Sequence, residues 1–210
     1  MKSVIFDLDG TLLDTLEDLA DSVNFALNKY GYKERTLKEI RAFVGNGVVR
    51  LMELALPNGK NNPQFESVLS DFKAHYAKNC KNKTKPYNGI NELLKALKEE
   101  NIKMAVVSNK FDAAVKELCK EYFGEYIAVA MGETAQVKKK PAPDTVFKAM
   151  EALNDTDCVY VGDSEVDIET AKNASLPCIS VTWGFRDKDY LKEVGGNIFA
   201  DEPMEILDLL

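Results

Sequence analysis

Asp7-Leu8-Asp9-Gly10-Thr11-Leu12-Leu13-Asp14 sets two carboxylates two residues apart, directly behind the apolar run Val4-Ile5-Phe6. A buried strand over 4–8 would turn Asp7 and Asp9 to one side at its C-terminal end, because side chains alternate along a strand. Gly10-Thr11 then breaks the extended path, and in open α/β sheets ligands bind at that end of the strands. Two buried carboxylates are costly unless a metal, a partner or a reaction uses them. One that attacks and a second that moves protons can split a hard displacement into two easier steps. The competing reading is a turn capped by its own aspartates.

Three later segments put similar groups where apolar runs stop. Val106-Val107-Ser108-Asn109 offers a hydroxyl and an amide, although a Ser-Asn pair there also serves as a helix cap. Val161-Gly162-Asp163-Ser164-Glu165-Val166-Asp167 puts two acids four apart at a strand-to-helix turn, on one face if the helix has begun. Lys140 lies between Lys139 and Pro141 and by itself would pass for a solvated lysine. The charges matter jointly. Asp7, Asp9, Asp163 and Asp167 are offset only by Lys140, and such a site repels an anion. A Mg²⁺ ion and a proton on Asp9 would bring it to neutrality, and Mg²⁺ favours carboxylates, waters and substrate phosphate as ligands. A hard divalent metal and a phosphoryl substrate follow.

The elements that must position these groups alternate from residue 86 onward. Helical periodicity at 88–100 leads to a strand at 102–107, and a helix at 111–120 leads to a strand at 126–130. Pro143 sits in the first turn of a helix at 143–153, followed by a strand at 158–161, a helix at 165–174 and a strand at 178–182. A short strand at 198–200 and a helix after Pro203 close the pattern. Alternation of this kind means a parallel, Rossmann-like α/β sheet. Residues 15–84 differ, with helical spacing and no convincing strand. Thr15 and Asp18 read as a capping pair, as do Thr36 and Glu39, and helices follow Gly47 and Pro63. The expected division is an α/β core of 1–14 and 85–210 around a helical insert of 15–84.

Composition narrows the class. The chain has 210 residues, 45% hydrophobic and 29% charged, an ordinary globular profile with a formal charge of -7. That charge argues against a nucleic-acid or anionic-membrane partner. No run approaches a membrane span, and no signal peptide is expected. Four cysteines without a C-x-x-C pair, beside a single histidine, argue against a zinc site and for reduced thiols in a cytoplasm. Cys158 and Cys178 begin apolar runs and read as core filler. Lys78, Lys81, Lys83 and Lys85 read as a solvated face. Nothing fixes the oligomeric state, and a monomer is the simplest expectation.

Asp-x-Asp-Gly-Thr-Leu-x-Asp, the Ser108 strand end, Lys140-Pro141 and Gly162-Asp163-x-x-x-Asp167 together resemble, in order, the four motifs of the haloacid dehalogenase-like hydrolase superfamily. The helical insert is similar to its type 1 cap. Val44-Gly45-Asn46-Gly47, with Leu51-Met52 and Thr182-Trp183-Gly184, most resembles the phosphoglycolate phosphatases and their pyrophosphatase relatives. The resemblance implies Asp7 as nucleophile and Asp9 as general acid and base. It implies Mg²⁺ held by the Asp7 carboxylate, the Asp9 carbonyl and Asp163, with Asp167 fixing a ligand water. Ser108 and backbone amides around Gly10, Thr11 and Asn109 would grip the phosphoryl oxygens, and Lys140 would neutralise charge.

The expected activity is therefore Mg²⁺-dependent hydrolysis of a small phosphorylated metabolite, phosphoglycolate first, through an aspartyl-phosphate. A pyrophosphatase or phosphosugar mutase of the same superfamily is the alternative, and a non-catalytic binding module is a further one. Dehalogenases and phosphonate hydrolases fit poorly because they lack the second acid that Asp9 supplies. Substrate choice is assigned to Gly45, Asn46, Gly47 and Arg50, although Arg50 also reads as a solvated arginine. His75 is a further candidate contact, read chiefly as a satisfied or exposed side chain.

Overall fold

The computed structural model describes residues 3–210. Strand β1 is Ser3–Phe6, and the two-residue strands β2 (Leu13–Asp14) and β3 (Lys85–Pro86) pair with each other. Between them lie helices α1 (Leu16–Lys29), α2 (Leu37–Phe43), α3 (Val48–Ala55) and α4 (Phe65–Asn79). Then follow α5 (Ile90–Glu99), β4 (Met104–Phe111), α6 (Asp112–Phe123), β5 (Val129–Glu133), α7 (Asp144–Leu153), β6 (Cys158–Gly162) and α8 (Glu165–Asn173). β7 (Cys178–Val181), α9 (Lys188–Glu193), β8 (Ile198–Ala200) and α10 (Glu205–Asp208) complete the chain.

Six strands form one parallel sheet in the order β5-β4-β1-β6-β7-β8. Strands of such a sheet are buried on both faces and read as continuous apolar runs. Val4, Phe6, Val106 and Val161 pack on one face with Leu93, Leu97 and Leu118. Ile5, Ala105, Val107 and Tyr160 pack on the other with Val146 and Ala149. The chain leaves β1 for β4 and β5 on one side, then crosses to β6 on the other. That reversal opens a crevice at the C-terminal end of β1.

Several element ends depart from the sequence expectation. β1 stops at Phe6 because the Leu8 carbonyl takes the amides of Leu12 and Leu13 at 3.0 and 2.9 Å, coiling the chain into a turn. β4 runs on to Phe111, so Ser108 and Asn109 lie inside the strand rather than in a turn after it. A register shift between Val107 and Phe111 lets β5 stay paired. β5 begins at Val129, three residues late, because the amides of Tyr126 and Ile127 close on Phe123 at the end of α6. The helix α9 had no apolar stripe to announce it. Cys158 is buried as expected and Cys178 half-buried, and burial pushes their thiols up to about 11 and about 12.

By its internal contacts the chain divides into two compact units, Asp14–Lys85 and the remainder. In the helical unit, α1 buries Leu19, Ala20, Val23, Ala26 and Leu27 at helical spacing and packs against α4. Thr36 and Glu39 close a reciprocal capping box. Thr15 and Asp18 do not. The Thr15 backbone is outside the extended region a cap needs, and its buried hydroxyl has no partner among the described residues. Asp18 instead accepts the Lys83 amide at 3.0 Å and the Thr84 amide and hydroxyl at 2.9 and 2.8 Å. It thereby ties the first helix of the unit to its last residues. Lys83 is not merely solvated, since it pairs with Asp21 at 2.8 Å and Glu17 at 3.4 Å.

Replacing Asp18 with Ala removes one acceptor shared by the half-buried Lys83 amide and the buried Thr84 amide and hydroxyl. Urea unfolding should show a loss on the order of 1–3 kcal/mol. A loss below about 0.5 kcal/mol would mean that this tie is replaced by water.

Candidate active site

Register brings the chemistry together. Phe6 lies opposite Val106 on one side and Val161 on the other. Asp7 is one residue beyond that line, and Ser108 and Asp163 are two residues beyond it. All three therefore reach the same edge of the sheet, around the crevice. The ladder persists to that edge, with the Asp7 amide donating to the Val161 carbonyl at 2.8 Å.

Lys140 is the centre of this edge. Only 3% of its side chain is exposed, and its ammonium donates to Asp7 Oδ1 at 2.7 Å, Asp167 Oδ1 at 2.7 Å and the Tyr160 hydroxyl at 2.9 Å. The loop that carries it is pinned by Asn109 Nδ2 on the Lys140 carbonyl at 3.1 Å and Asn173 Nδ2 on the Pro141 carbonyl at 2.9 Å. Burial works against the lysine's charge, yet Asp167 and Asp7 outweigh it and hold the ammonium well above its ordinary range. Asp7 keeps its other oxygen, Oδ2, without a donor among the described residues.

Asp167 has no such freedom. Its Oδ1 takes Lys140 and Tyr160, while its Oδ2 takes the Ser164 hydroxyl at 2.6 Å and the Ser164 amide at 3.2 Å. Asp163 Oδ2 accepts the Phe185 amide at 2.7 Å, and Oδ1 accepts the Thr11 hydroxyl at a longer 3.3 Å. The Trp183-Gly184-Phe185 loop packs so closely here that a Cβ on Gly184 would lie 2.3 Å from Asp163 Cβ. Gly10, at φ +92°, meets the same aspartate, where a Cβ would lie 2.4 Å from Oδ2. Trp183 Nε1 donates to the Thr11 carbonyl at 2.9 Å, which fastens this loop to the first turn.

Asp9 occupies different surroundings. Its Oδ1 pairs with Lys110 at 2.7 Å and its Oδ2 lies 3.5 Å from the Ser108 hydroxyl, which also accepts the Lys110 amide at 3.2 Å. Lys110 was not singled out from the sequence. An expectation of strand ending at 107 hid the fact that 108 and 110 share a strand face. Tyr160, inside the expected strand at 158–161, and Arg186, bound to Glu165 at 2.8 Å, were likewise not singled out. The amides of Gly10 and Thr11, expected to face phosphoryl oxygens, instead donate within the turn to Leu13 and Leu8. The amides of Leu8 and Asp9 are the ones with no acceptor among the described residues. The Asn109 side-chain amide donates to the Lys140 carbonyl.

The helical unit holds the remaining candidates. Gly45 and Gly47 both have positive φ, 122° and 81°, and Gly47 is the N-terminal flank of α3. Arg50 is half-exposed and paired with Glu53 at 2.9 Å, the bland alternative. His75 is satisfied, with Nδ1 3.0 Å from the Ser22 hydroxyl and its ring stacked on Phe25.

Asp7, Asp163 and Asp167 can bring one oxygen each within 4.8 Å of one another. Burial raises the Asp7 carboxyl to about 7, with Asp167 and Asp9 adding to the rise and Lys140 opposing it. Burial, then Asp167 and Asp7, lifts Asp163 well above the carboxylate range. An oxygen-only donor set with more negative charge than it can bear fits a hard divalent cation.

The sequence family described as haloacid dehalogenase-like hydrolase matches residues 4–181. The chain belongs to this family. A phosphoglycolate phosphatase of Rhodobacter capsulatus is 32% identical over 88% of this chain and 85% of its own, and one of Aquifex aeolicus is 34% identical over 88% and 86%. A crystal structure from Lactobacillus delbrueckii subsp. bulgaricus, carrying the provisional name phosphoglycolate phosphatase, superposes with a TM-score of 0.95 at 35% identity, covering 99% and 97% of the two chains. In this chain Asp7, Ser108 and Asp163 lie at the C-terminal ends of adjoining strands and Lys140 lies in the loop before α7.

A metal-free pH dependence follows from Asp7. Folded, it binds its proton near 7, against 3.8 for an ordinary aspartate, so the folded state holds the extra proton between those values. Stability from this group is therefore lost as pH rises through that window. In chelator, the Tm of Asp7→Asn should gain several degrees on wild type between about pH 4 and about pH 7.5, and Mg²⁺ should shrink the gain. A difference that stays flat with pH would contradict the charge frustration at Asp7.

Proposed function

We propose that this protein is a phosphatase that hydrolyses a small carboxylated phosphate monoester, of the phosphoglycolate kind, through a phosphorylated Asp7. The observation that carries the reading is the division of labour between two carboxylates two residues apart. Asp7 is gripped through one oxygen by a buried ammonium with the other oxygen unengaged. Asp9 stands apart beside Ser108 and Lys110. Paired carboxylates with unlike surroundings are how one site supplies both a nucleophile and an acid-base group. The names of the relatives support the substrate class.

In the first step an Asp7 oxygen attacks phosphorus, the ester P–O bond breaks, and the Asp9 proton goes to the leaving alcohol. In the second, water attacks phosphorus, Asp9 takes its proton, and the bond to Asp7 breaks to release phosphate. Lys140 offsets the dianion beside Asp7, and the Ser108 hydroxyl with the Leu8 and Asp9 amides would orient the phosphoryl oxygens. This is positioning and electrostatics, which is what phosphoryl transfer demands of a protein. Mg²⁺ would be held by Asp7, the Asp9 carbonyl and Asp163, and when bound supplies positive charge to the phosphoryl oxygens. Asp167, with both oxygens already engaged, would act on that ion only through water. Residues 15–84 we assign the part of a cap that selects substrate, with Gly45, Asn46 and Gly47 as its contact loop. Four free cysteines favour a reducing cytoplasm as its location.

Phosphate release from 2-phosphoglycolate, pyrophosphate and an aryl phosphate tests the reading. Asp7→Asn should lose at least about 10³-fold in kcat while staying folded, because an amide is a poor nucleophile of similar shape. Chelation should abolish turnover and Mg²⁺ should restore it. A folded Asp7→Asn variant that keeps a tenth of wild-type activity would sink the covalent route, and pyrophosphate as the best substrate would replace the monoester.

A further inference from the structure

The loop between β7 and α9 grips the turn between β6 and α8 at two successive points. The Phe185 amide donates to Asp163 Oδ2 at 2.7 Å. The next residue, Arg186, closes a fork on Glu165, with Nε to Oε2 at 2.8 Å and Nη2 to Oε1 at 3.2 Å. Glu165 is the first residue of α8, two beyond Asp163. Only 12% of the arginine side chain and 28% of the glutamate are exposed. A pair drawn this far out of water is weak evidence for stability, since desolvation offsets much of its attraction. What a two-bond guanidinium–carboxylate contact does supply is a fixed geometry. The other end of the loop is tied as well, with Trp183 Nε1 on the Thr11 carbonyl at 2.9 Å. Between those ties the chain lies tight against the first turn. A Cβ on Gly184 would lie 2.4 Å from the Gly10 carbonyl oxygen, and one on Gly10 would lie 2.8 Å from the Phe185 ring.

We propose that the Arg186–Glu165 pair is a positioning device for the metal ligand Asp163, acting through the Phe185 amide. The inference rests on Asp163 holding Mg²⁺ in the proposed reaction. A carboxylate turns about its side-chain bonds unless donors hold it. The Thr11 hydroxyl reaches Oδ1 only at 3.3 Å, long for a hydroxyl donor, so the Phe185 amide at 2.7 Å does most to fix the orientation. That amide is one residue from the guanidinium, and release of the fork frees this stretch of main chain from α8. Asp163 then loses its alignment with Asp7 and Asp167, each of which brings an oxygen within 4.8 Å of one on Asp163. Partners one contact removed from a metal change its affinity by about ten- to a hundredfold when they are lost. Charge alone makes a competing account with opposite signs. Removing the negative charge of Glu165 would weaken binding of a divalent cation, whereas removing the positive charge of Arg186 would tighten it. Positioning requires that both weaken it.

The test follows Tm as Mg²⁺ is added to wild type, Glu165→Gln, Arg186→Gln and Arg186→Lys, each measured against its own value in chelator. An ion that binds only the folded state raises Tm according to its concentration relative to Kd, so a variant's baseline loss of stability cancels. The Mg²⁺ concentration that produces a given rise should increase on the order of tenfold, and no less than about threefold, in both Gln variants. Arg186→Lys keeps the charge without the fork and should still require more Mg²⁺ than wild type. An increase below about threefold in either Gln variant, or none in Arg186→Lys, overturns the proposal and leaves the pair a matter of charge or of fold stability alone. Wild type whose Tm does not respond to Mg²⁺ would instead overturn the metal reading on which the proposal rests.

Discussion

One nitrogen organises this site. The Lys140 ammonium is buried and spends its three donors on Asp7, Asp167 and Tyr160. A buried charge left without partners costs several kcal/mol, so each of these groups is held where the lysine can reach it. Asp7 comes from the end of β1, Tyr160 from the middle of β6, Asp167 from the first turn of α8, and the lysine from the loop before α7. Side-chain amides of Asn109 and Asn173 hold that loop in turn. The same contact leaves one Asp7 oxygen engaged and the other unengaged.

What makes such a convergence possible is the order of the sheet. β1 lies between β4 and β6, and the chain winds outward from it first on one side and then on the other. Any residue just past the end of β1 therefore faces two neighbouring strand ends at equal depth. The register sets Asp7 one residue beyond the last paired line, with Ser108 and Asp163 one residue further. A site built this way sits on rigid elements, and its precision comes from the hydrogen-bond ladder rather than from loops. The negative charge collected there is left frustrated, with Asp7 and Asp163 both raised by burial and by their neighbours. A divalent cation held there would relieve that frustration and so couple metal binding to the stability of the core.

The helical unit follows a different logic. Its helices are amphipathic and bury their own apolar stripes, and its two ends are joined by the Asp18 carboxylate on Lys83 and Thr84. The short pairing of β2 with β3 brings the outgoing and returning chain side by side. Local closure of both kinds allows a long insertion after the first strand without disturbing the sheet, since the span between Leu13 and Pro86 is bridged at its base.

The sequence by itself determined the alternation of strands and helices, the helical stretch after the first strand, and the acids and serine that stand behind apolar runs. These are written in local patterns: apolar runs, period-3.6 stripes and acids placed behind them. The capping box at Thr36 and Glu39 is legible for the same reason, being closed within four residues. Only the tertiary structure decided what each charged group faces. Thr15 and Asp18 have the spacing of a cap, yet Asp18 is claimed by amides 65 and 66 residues away. Lys140 looks like one more surface lysine beside Lys138 and Lys139 until the fold buries it. Lys110 becomes part of the site because β5 carries β4 past its expected end and turns 108 and 110 toward Asp9. Strand continuation depends on a neighbour's hydrogen bonds, and a side chain's charge partner depends on residues far away in the chain. Neither is encoded in the few residues around it.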